Sequence, residues 1–330
     1  MEHNRDFLSV RNLVVEYTSN GQVIHAVNDV SFDLEEGKTL GLVGETGAGK
    51  TTIAKAILRI LPDPPAKIRS GQIFFKGEDI MKMNDAALQK IRGNKISMVF
   101  QDPMTALNPR DHVGDQIAEV IQLHGKASRS EAKKKAAEML ELVGIPADRY
   151  GEYPHQFSGG MKQRVIIAIA LACQPQVLLA DEPTTALDVT IQAQVLDLIN
   201  DLKKKQNTSM ILITHDFGIV AGSCDYVAVV YGGEIVEYGS LEEIFDHPSH
   251  PYTVGLFGAI PNMSVRVARL SPIDGMPPDP SNLPKGCHFG PRCPYAEAAC
   301  RQGKIPMKSL GGTHQCRCLR NIEPTEGGTQ

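Results

Sequence analysis

No stretch of this 330-residue chain is apolar for long enough to cross a bilayer. The longest unbroken apolar run, Val165 to Cys173, is bounded by Arg164 and Gln174, well short of the ~20 residues that a spanning helix requires. A soluble or peripheral protein is expected. An excess of one charge is missing too: 34 basic residues face 38 acidic ones, for a formal net charge of −4, which leaves no electrostatic reason to expect nucleic acid as a partner. The opening MEHNRDFLSV carries charges where a signal peptide would have its apolar core. Seven cysteines without a secretion signal then point to a reducing compartment, not to a disulfide framework. Five of them crowd into Cys287 to Cys318 and call for a local explanation. The length predicts one large α/β domain with a smaller appendage.

Strand and helix patterns alternate along the chain. Phe7 to Tyr17, Val23 to Leu34 and Gln72 to Phe75 are rich in β-branched and apolar residues, with a turn signal at Ser19-Asn20-Gly21, and predict an N-terminal antiparallel sheet. Between Asp111 and Ile145 the pattern is helical, with a capping box at Ser128 and Glu131 and an apolar face of Ala136, Met139, Leu140 and Val143. Val177 to Ala180 and Met210 to Ile213 are short apolar runs of the kind buried in a parallel sheet, with a helix from Thr190 to Lys205 between them. Beyond about Phe245, frequent prolines predict an irregular extended connection leading to the cysteines.

The run GETGAGKT, from Gly44 to Thr51, follows the apolar strand Thr39 to Val43 and opens a predicted helix, Thr52 to Leu61. This is the context of a phosphate-binding loop. Gly44, Gly47 and Gly49 let the backbone curl so that its N–H groups face phosphate oxygens, with a helix N-terminus behind them. Lys50 would reach the β and γ phosphates, and the Thr51 hydroxyl would ligate Mg²⁺. Further along, VLLADE places Asp181 and Glu182 at the exit of a buried strand, one to hold the Mg²⁺ shell and one to orient water. FSGGMKQR, Phe157 to Arg164, offers a hydroxyl and free amides at a helix start, as an anion site or as an ordinary N-cap. Gln101, Asp188 and His215 each follow a short apolar stretch.

In this order the motifs closely resemble the ATP-binding subunits of ABC transporters, over roughly Asp6 to His250. The resemblance implies an α/β fold: an ABC-type P-loop ATPase core with an antiparallel β subdomain and a helical subdomain at about 103–165, together spanning 1–250. It implies that Tyr17 stacks on adenine and that Gly44, Glu45, Thr46, Gly47, Ala48, Gly49, Lys50, Thr51 and Thr52 bind ATP. Thr51, Gln101 and Asp181 would hold Mg²⁺, while Glu182 and His215 would be catalytic. Asp188 would be the D-loop. Ser158, Gly159, Gly160 and Met161 would form a signature motif that closes over the nucleotide of a second ABC ATPase subunit, identical or related. Phe157 and Met161 replace the usual leucine and glutamine, and Thr46 and Ala48 stand where serines are frequent. None of these changes removes a backbone donor or a charge.

Residues 251–330 resemble the cysteine-bearing extension of dipeptide and oligopeptide importer ATPases and their nickel-importing relatives, which implies a small irregular C-terminal metal-binding domain. Four thiolates within a short proline-rich segment suit Cys₄ ligation, and the resemblance implies a [4Fe–4S] cluster on Cys287, Cys293, Cys300 and Cys318. There the family's final His-x-x-x-Cys falls on His314 and Cys318, leaving Cys316 as a spare; zinc is the alternative metal. Cys173 and Cys224 are expected in the core. The implied protein is an ATPase at the cytoplasmic face of the membrane that powers peptide uptake, with two transmembrane permease subunits, an extracytoplasmic substrate-binding protein and no nucleic acid. Two readings compete with peptide uptake: nickel or other small-solute import, and a soluble ABC ATPase acting on ribosomes or nucleic acid. The iron–sulfur members of that last group join two cassettes and carry N-terminal cysteines, unlike this chain. A metal-sensing module would need an effector domain that the sequence does not supply.

Overall fold

The computed structural model describes residues 7–125, 127–185, 187–258 and 273–320. The chain opens with β1 (Leu8–Ser19) and β2 (Gln22–Leu34), joined by Asn20 and Gly21 at φ 50° and 78°. Two consecutive positive φ values make the tight turn whose twist suits a hairpin. Next come β3 (Thr39–Val43), α1 (Lys50–Ile57), β4 (Ala66–Phe75), β5 (Glu78–Asp79), α2 (Asp85–Ile91) and β6 (Ile96–Val99). A helical stretch contains α3 (Pro103–Ala106), α4 (Val113–Gly125), α5 (Arg129–Leu142) and α6 (Gly159–Leu171). It is followed by β7 (Val177–Asp181), α7 (Val189–Gln206), β8 (Ser209–Thr214), α8 (Phe217–Ser223), β9 (Tyr226–Tyr231), β10 (Glu234–Ser240), α9 (Leu241–Asp246), α10 (Pro251–Gly258), β11 (Lys308–Gly311) and β12 (His314–Cys316).

Contacts divide the chain into two compact units. The first takes Leu34–Thr39 and Phe74–Thr214. Its strands β6, β7 and β8 pair in parallel, Val99 beside Ala180 and Asp181 beside Ile213. Leu178, Leu179, Ala180, Ile211 and Leu212 are wholly buried, as expected of strands covered on both faces. The predicted helical region resolves into α4 and α5, and α5 starts at the predicted capping box: Ser128 Oγ accepts from Glu131 N, and the Glu131 carboxylate accepts from Ser128 N at 2.8 Å.

The second unit takes Ser9–Asp33, Leu40–Ile73 and the chain from His215 onward. Here β3 pairs in parallel with β9, β9 is antiparallel to β10, and β12 lies antiparallel between β10 and β11. Three expectations are corrected. The helix after the phosphate loop ends at Ile57, four residues early, because Arg59 turns to φ 51° and Pro62, Pro64 and Pro65 follow. The connection beyond Phe245 begins with a helix, α10, whose first-turn Pro251 is preset for helical φ and whose Tyr252 and Thr253 are buried. Residues 259–272 of that connection lie outside the described residues. The segment at the C-terminal end is not wholly irregular, since β12 extends the β9–β10 sheet through Glu237 opposite Cys316.

Candidate nucleotide and cysteine sites

The phosphate loop leaves β3 through Gly44, at φ 147°, and enters α1 through Gly49, at φ 102°. A Cβ at Gly44 would lie 2.1 Å from the Val230 carbonyl oxygen, and one at Gly49 would lie 2.3 Å from that of Ala26. Neighbouring backbone therefore enforces glycine at both ends of the curl. Lys50 is 5% exposed, and its ammonium donates to the Gly44 and Glu45 carbonyls at 2.7 and 2.9 Å. The charge is held inside the loop that would wrap phosphate. The hydroxyls of Tyr17 and Thr52 are 3.4 Å apart, which puts the predicted adenine-stacking residue at the first turn of α1. Sequence reasoning missed two further contacts to the loop. Tyr252 Oη accepts from Glu45 N, and Arg292 forks onto the Glu45 carboxylate. Separations of 207 and 247 positions leave no local pattern that could reveal them.

In the first unit, β7 ends at the buried Asp181, and Glu182 follows at φ 45°. A left-handed glutamate costs conformational energy, and such residues concentrate at functional sites. The turn is fixed because Glu182 N donates to the Ile213 carbonyl at 2.9 Å, while its Oε2 accepts from Gln101 Nε2 and Thr185 Oγ1, each at 2.9 Å. Two predicted residues from distant motifs, Gln101 and Glu182, thus meet directly. In the second unit, His215 is exposed just before α8, which Asp216 caps by accepting from Gly218 N and Ile219 N.

The signature segment begins α6, with Ser158 Oγ accepting from Met161 N at 3.4 Å. Phe157 is buried, and the Arg149 guanidinium lies 4.5 Å from its ring centre, so the leucine replacement is a packed anchor. Ser158, Gly159, Gly160, Met161, Asp188 and Ile191 face one open cavity. Asp188 caps α7 by accepting from Ile191 N at 3.0 Å. The signature and D-loop residues therefore converge within this unit.

The four cysteines singled out as ligands, Cys287, Cys293, Cys300 and Cys318, line a single cavity walled by Phe289 and Ile305. Burial pushes the Cys287 thiol up to about 11, against the pull of the Phe289 and Gly290 N–H groups. Burial also raises Cys293 and Cys318, opposed by the N–H groups of Tyr295 and of Arg320. Neutral thiols are favoured until a cation offsets their charge. Cys316 is not on this cavity; it is 3% exposed on β12, and burial followed by the Glu237 charge raises its thiol furthest. Among the described residues no group of three or more Cys, His, Asp or Glu is arranged to hold a metal ion, so a C-terminal metal-binding domain is not shown. His314, which opens the matched His-x-x-x-Cys, has its Nε2 2.8 Å from the buried Glu237 carboxylate, which also accepts from Ser249 N and His250 N. Cys173 is half-buried, with its thiol on the Val120 carbonyl, and Cys224 is buried.

A family model described as "ABC transporter" matches residues 27–185, and one described as "Oligopeptide/dipeptide transporter, C-terminal region" matches residues 236–300. The chain is 51% identical to the dipeptide transport ATP-binding protein DppD of Bacillus subtilis, over 94% of this chain and 93% of that one. It is 49% identical to the oligopeptide transport ATP-binding protein OppD of the same organism, over 93% and 87%. Among solved structures it is similar to the dimeric post-hydrolysis state of the ATP-binding cassette MJ0796 bound to ADP and Pi, with TM-score 0.64 and 27% identity, covering 71% of this chain and 99% of that one.

Proposed function

The chain belongs to the ATP-binding subunits of ABC transporters, in the dipeptide and oligopeptide group, and from that premise we propose that it hydrolyses ATP to power peptide uptake. The observation that carries this is the pairing of a complete phosphate loop with a C-terminal region of the peptide-transporter type in one chain. Lys50 and the loop amides bind the β and γ phosphates, Tyr17 takes the adenine, and Thr51 and Asp181, with Gln101, are assigned to Mg²⁺. A hydroxyl, a buried carboxylate and an amide oxygen form the hard-oxygen donor set that this ion prefers. When bound, Mg²⁺ neutralises charge developing on the phosphates. Glu182, oriented by Gln101 and Thr185, is the base that accepts the proton of the attacking water, and His215 contacts the γ phosphate region.

Ser158 to Met161 and Asp188 act on the nucleotide of a second ABC ATPase subunit. Within the described residues no helix is long and apolar enough to cross a membrane; from its family, the chain is assigned to the cytoplasmic face of the membrane, held there by two permease subunits. Those subunits dock near Gln101 and the helical subdomain, and an extracytoplasmic protein delivers the peptide. The segment from about 251 onward is assigned a [4Fe–4S] cluster on Cys287, Cys293, Cys300 and Cys318. What supports this reading is donor type: four soft thiols line one cavity, three with backbone N–H groups aimed at sulfur, and thiolates are the ligands such clusters take.

Glu182→Gln tests the catalytic assignment. It is expected to retain ATP binding and lose ~10² to 10⁴ in turnover, the range for a missing general base; near wild-type turnover would refute the role.

A further inference from the structure

Glu45, the second residue of the phosphate loop, is held from three directions within the second unit. Its carbonyl accepts from Lys50 Nζ and its N–H donates to Tyr252 Oη at 2.9 Å. Its carboxylate takes both arms of Arg292, Nη1 to Oε2 at 2.8 Å and Nη2 to Oε1 at 3.1 Å. Tyr252 is fully buried, with its ring 4.4 Å from that of Tyr231 and 5.4 Å from that of Phe289. The Arg292 side chain is only 7% exposed, and its remaining contacts go to Tyr231 Oη and to the carbonyls of Ile273 and Asp274. A bidentate pair this well covered differs from a surface ion pair: the fork fixes geometry, and removing one arm leaves a largely desolvated charge. The proline-rich segment around it is tied down as well, since His25 N donates to the Pro280 carbonyl at 2.9 Å.

Arg292 stands one position before Cys293, so the residue that grips the phosphate loop belongs to the cysteine segment. Loop affinity for phosphate depends on the direction of successive backbone N–H groups, and the peptide at Glu45 begins that curl. We propose that Arg292, assisted by Tyr252, is a positioning residue for the nucleotide site: it holds Glu45 so that the loop keeps its phosphate-binding shape, and the C-terminal segment thereby sets the ATP affinity of its own chain. The proposal rests on the reading of Gly44 to Thr51 as an ATP site.

The test is ATPγS binding by calorimetry to the full chain, with steady-state ATPase alongside. Arg292→Gln is expected to weaken binding about tenfold, the scale of a lost charge-assisted bond, and to raise KM more than it lowers kcat. Arg292→Lys recovers part of the affinity, because it keeps the charge but not the fork. Glu45→Gln removes the same pair while leaving the Ile273 and Asp274 contacts in place, so it must weaken binding to a similar degree, and the double variant must be no worse than either single one. Glu45→Gln with wild-type affinity, or two effects that simply add, would overturn the positioning role. A wild-type chain that fails to bind ATPγS would instead bring down the nucleotide reading itself.

Discussion

Two glycine-led loops open helices in this chain, and they use glycine for opposite reasons. At the phosphate loop, Gly44 and Gly49 sit at positive φ with carbonyl oxygens of the same chain 2.1 and 2.3 Å from where a Cβ would stand. At the signature segment, a Cβ on Gly159 would meet nothing closer than Leu187 Cδ2, at 3.9 Å. The first glycines are demanded by the chain's own packing. Within its own unit a Cβ on Gly159 has room, and the proposed reading assigns the open cavity in front of it to an outside occupant. The family reading supplies the occupant: the nucleotide of a second subunit.

The sharpest way to break this contrast is to substitute both glycines. Gly49→Ala should abolish measurable ATP binding, since a strained left-handed alanine costs ~1–3 kcal/mol before the 2.3 Å clash is counted. Gly159→Asp should leave nucleotide binding by the isolated chain intact while preventing ATP-driven dimerisation in a Glu182→Gln background, because it sets an anion against the partner's triphosphate. Equilibrium dialysis and sedimentation velocity give the two readouts. A Gly159→Asp chain that still dimerises with ATP would remove the interface assignment, and one that cannot bind ATP alone would show that Gly159 is needed locally after all.

The cysteine cavity extends the comparison, because close backbone and side chains meet there: a Cβ on Gly286 would lie 2.2 Å from the Cys300 carbonyl oxygen, while four thiols line the cavity itself. Single Cys287, Cys293, Cys300 or Cys318→Ser variants should bleach the broad absorption near ~400 nm expected of a thiolate-bound cluster and loosen the segment after Gly286, while ATP binding persists. Cys316→Ser should keep the colour. If Cys316→Ser bleaches the protein and Cys318→Ser does not, the fourth ligand is misassigned; zinc alone after anaerobic purification would replace the cluster.

The shapes of the two loops were legible in the sequence because each turns through consecutive backbone groups, so order and spacing state the local geometry. The strands Thr39–Val43 and Val177–Asp181 were legible for a related reason: burial on both faces leaves an unbroken apolar run. What stayed hidden depends on residues far apart in the chain. Arg292 reaching Glu45, the buried Glu237 taking His314, and β12 joining β10 leave no periodicity, since each is one side chain or one short strand fixed by tertiary packing. Helix α10 was missed for another reason: the prolines of the segment around it were counted as breakers, although Pro251 sits in the first turn, where proline starts a helix.

The smallest expected effect concerns how the β11–β12 hairpin is fastened. The Glu243 carboxylate accepts from Ser240 N at 2.8 Å and from Thr313 N at 3.1 Å, joining the cap of α9 to the hairpin turn. Burial works to raise its pKa, but these hydrogen bonds, with that from the Thr313 hydroxyl, outweigh it and hold the group below its ordinary value. A carboxylate whose folded pKa lies below its unfolded one contributes stability that is complete above the unfolded value and is lost as pH falls through the folded one. Wild type should therefore melt slightly above Glu243→Gln at pH 7, and the gap should close on acidification through the carboxylate range. Because Glu243 is only partly buried, solvent screening keeps the difference small. Melting curves of the two proteins from pH 7 down to ~3 check the sign. A gap that stays constant, or widens in acid, would mean that the hairpin is held by packing alone and that the Glu243 charge contributes nothing.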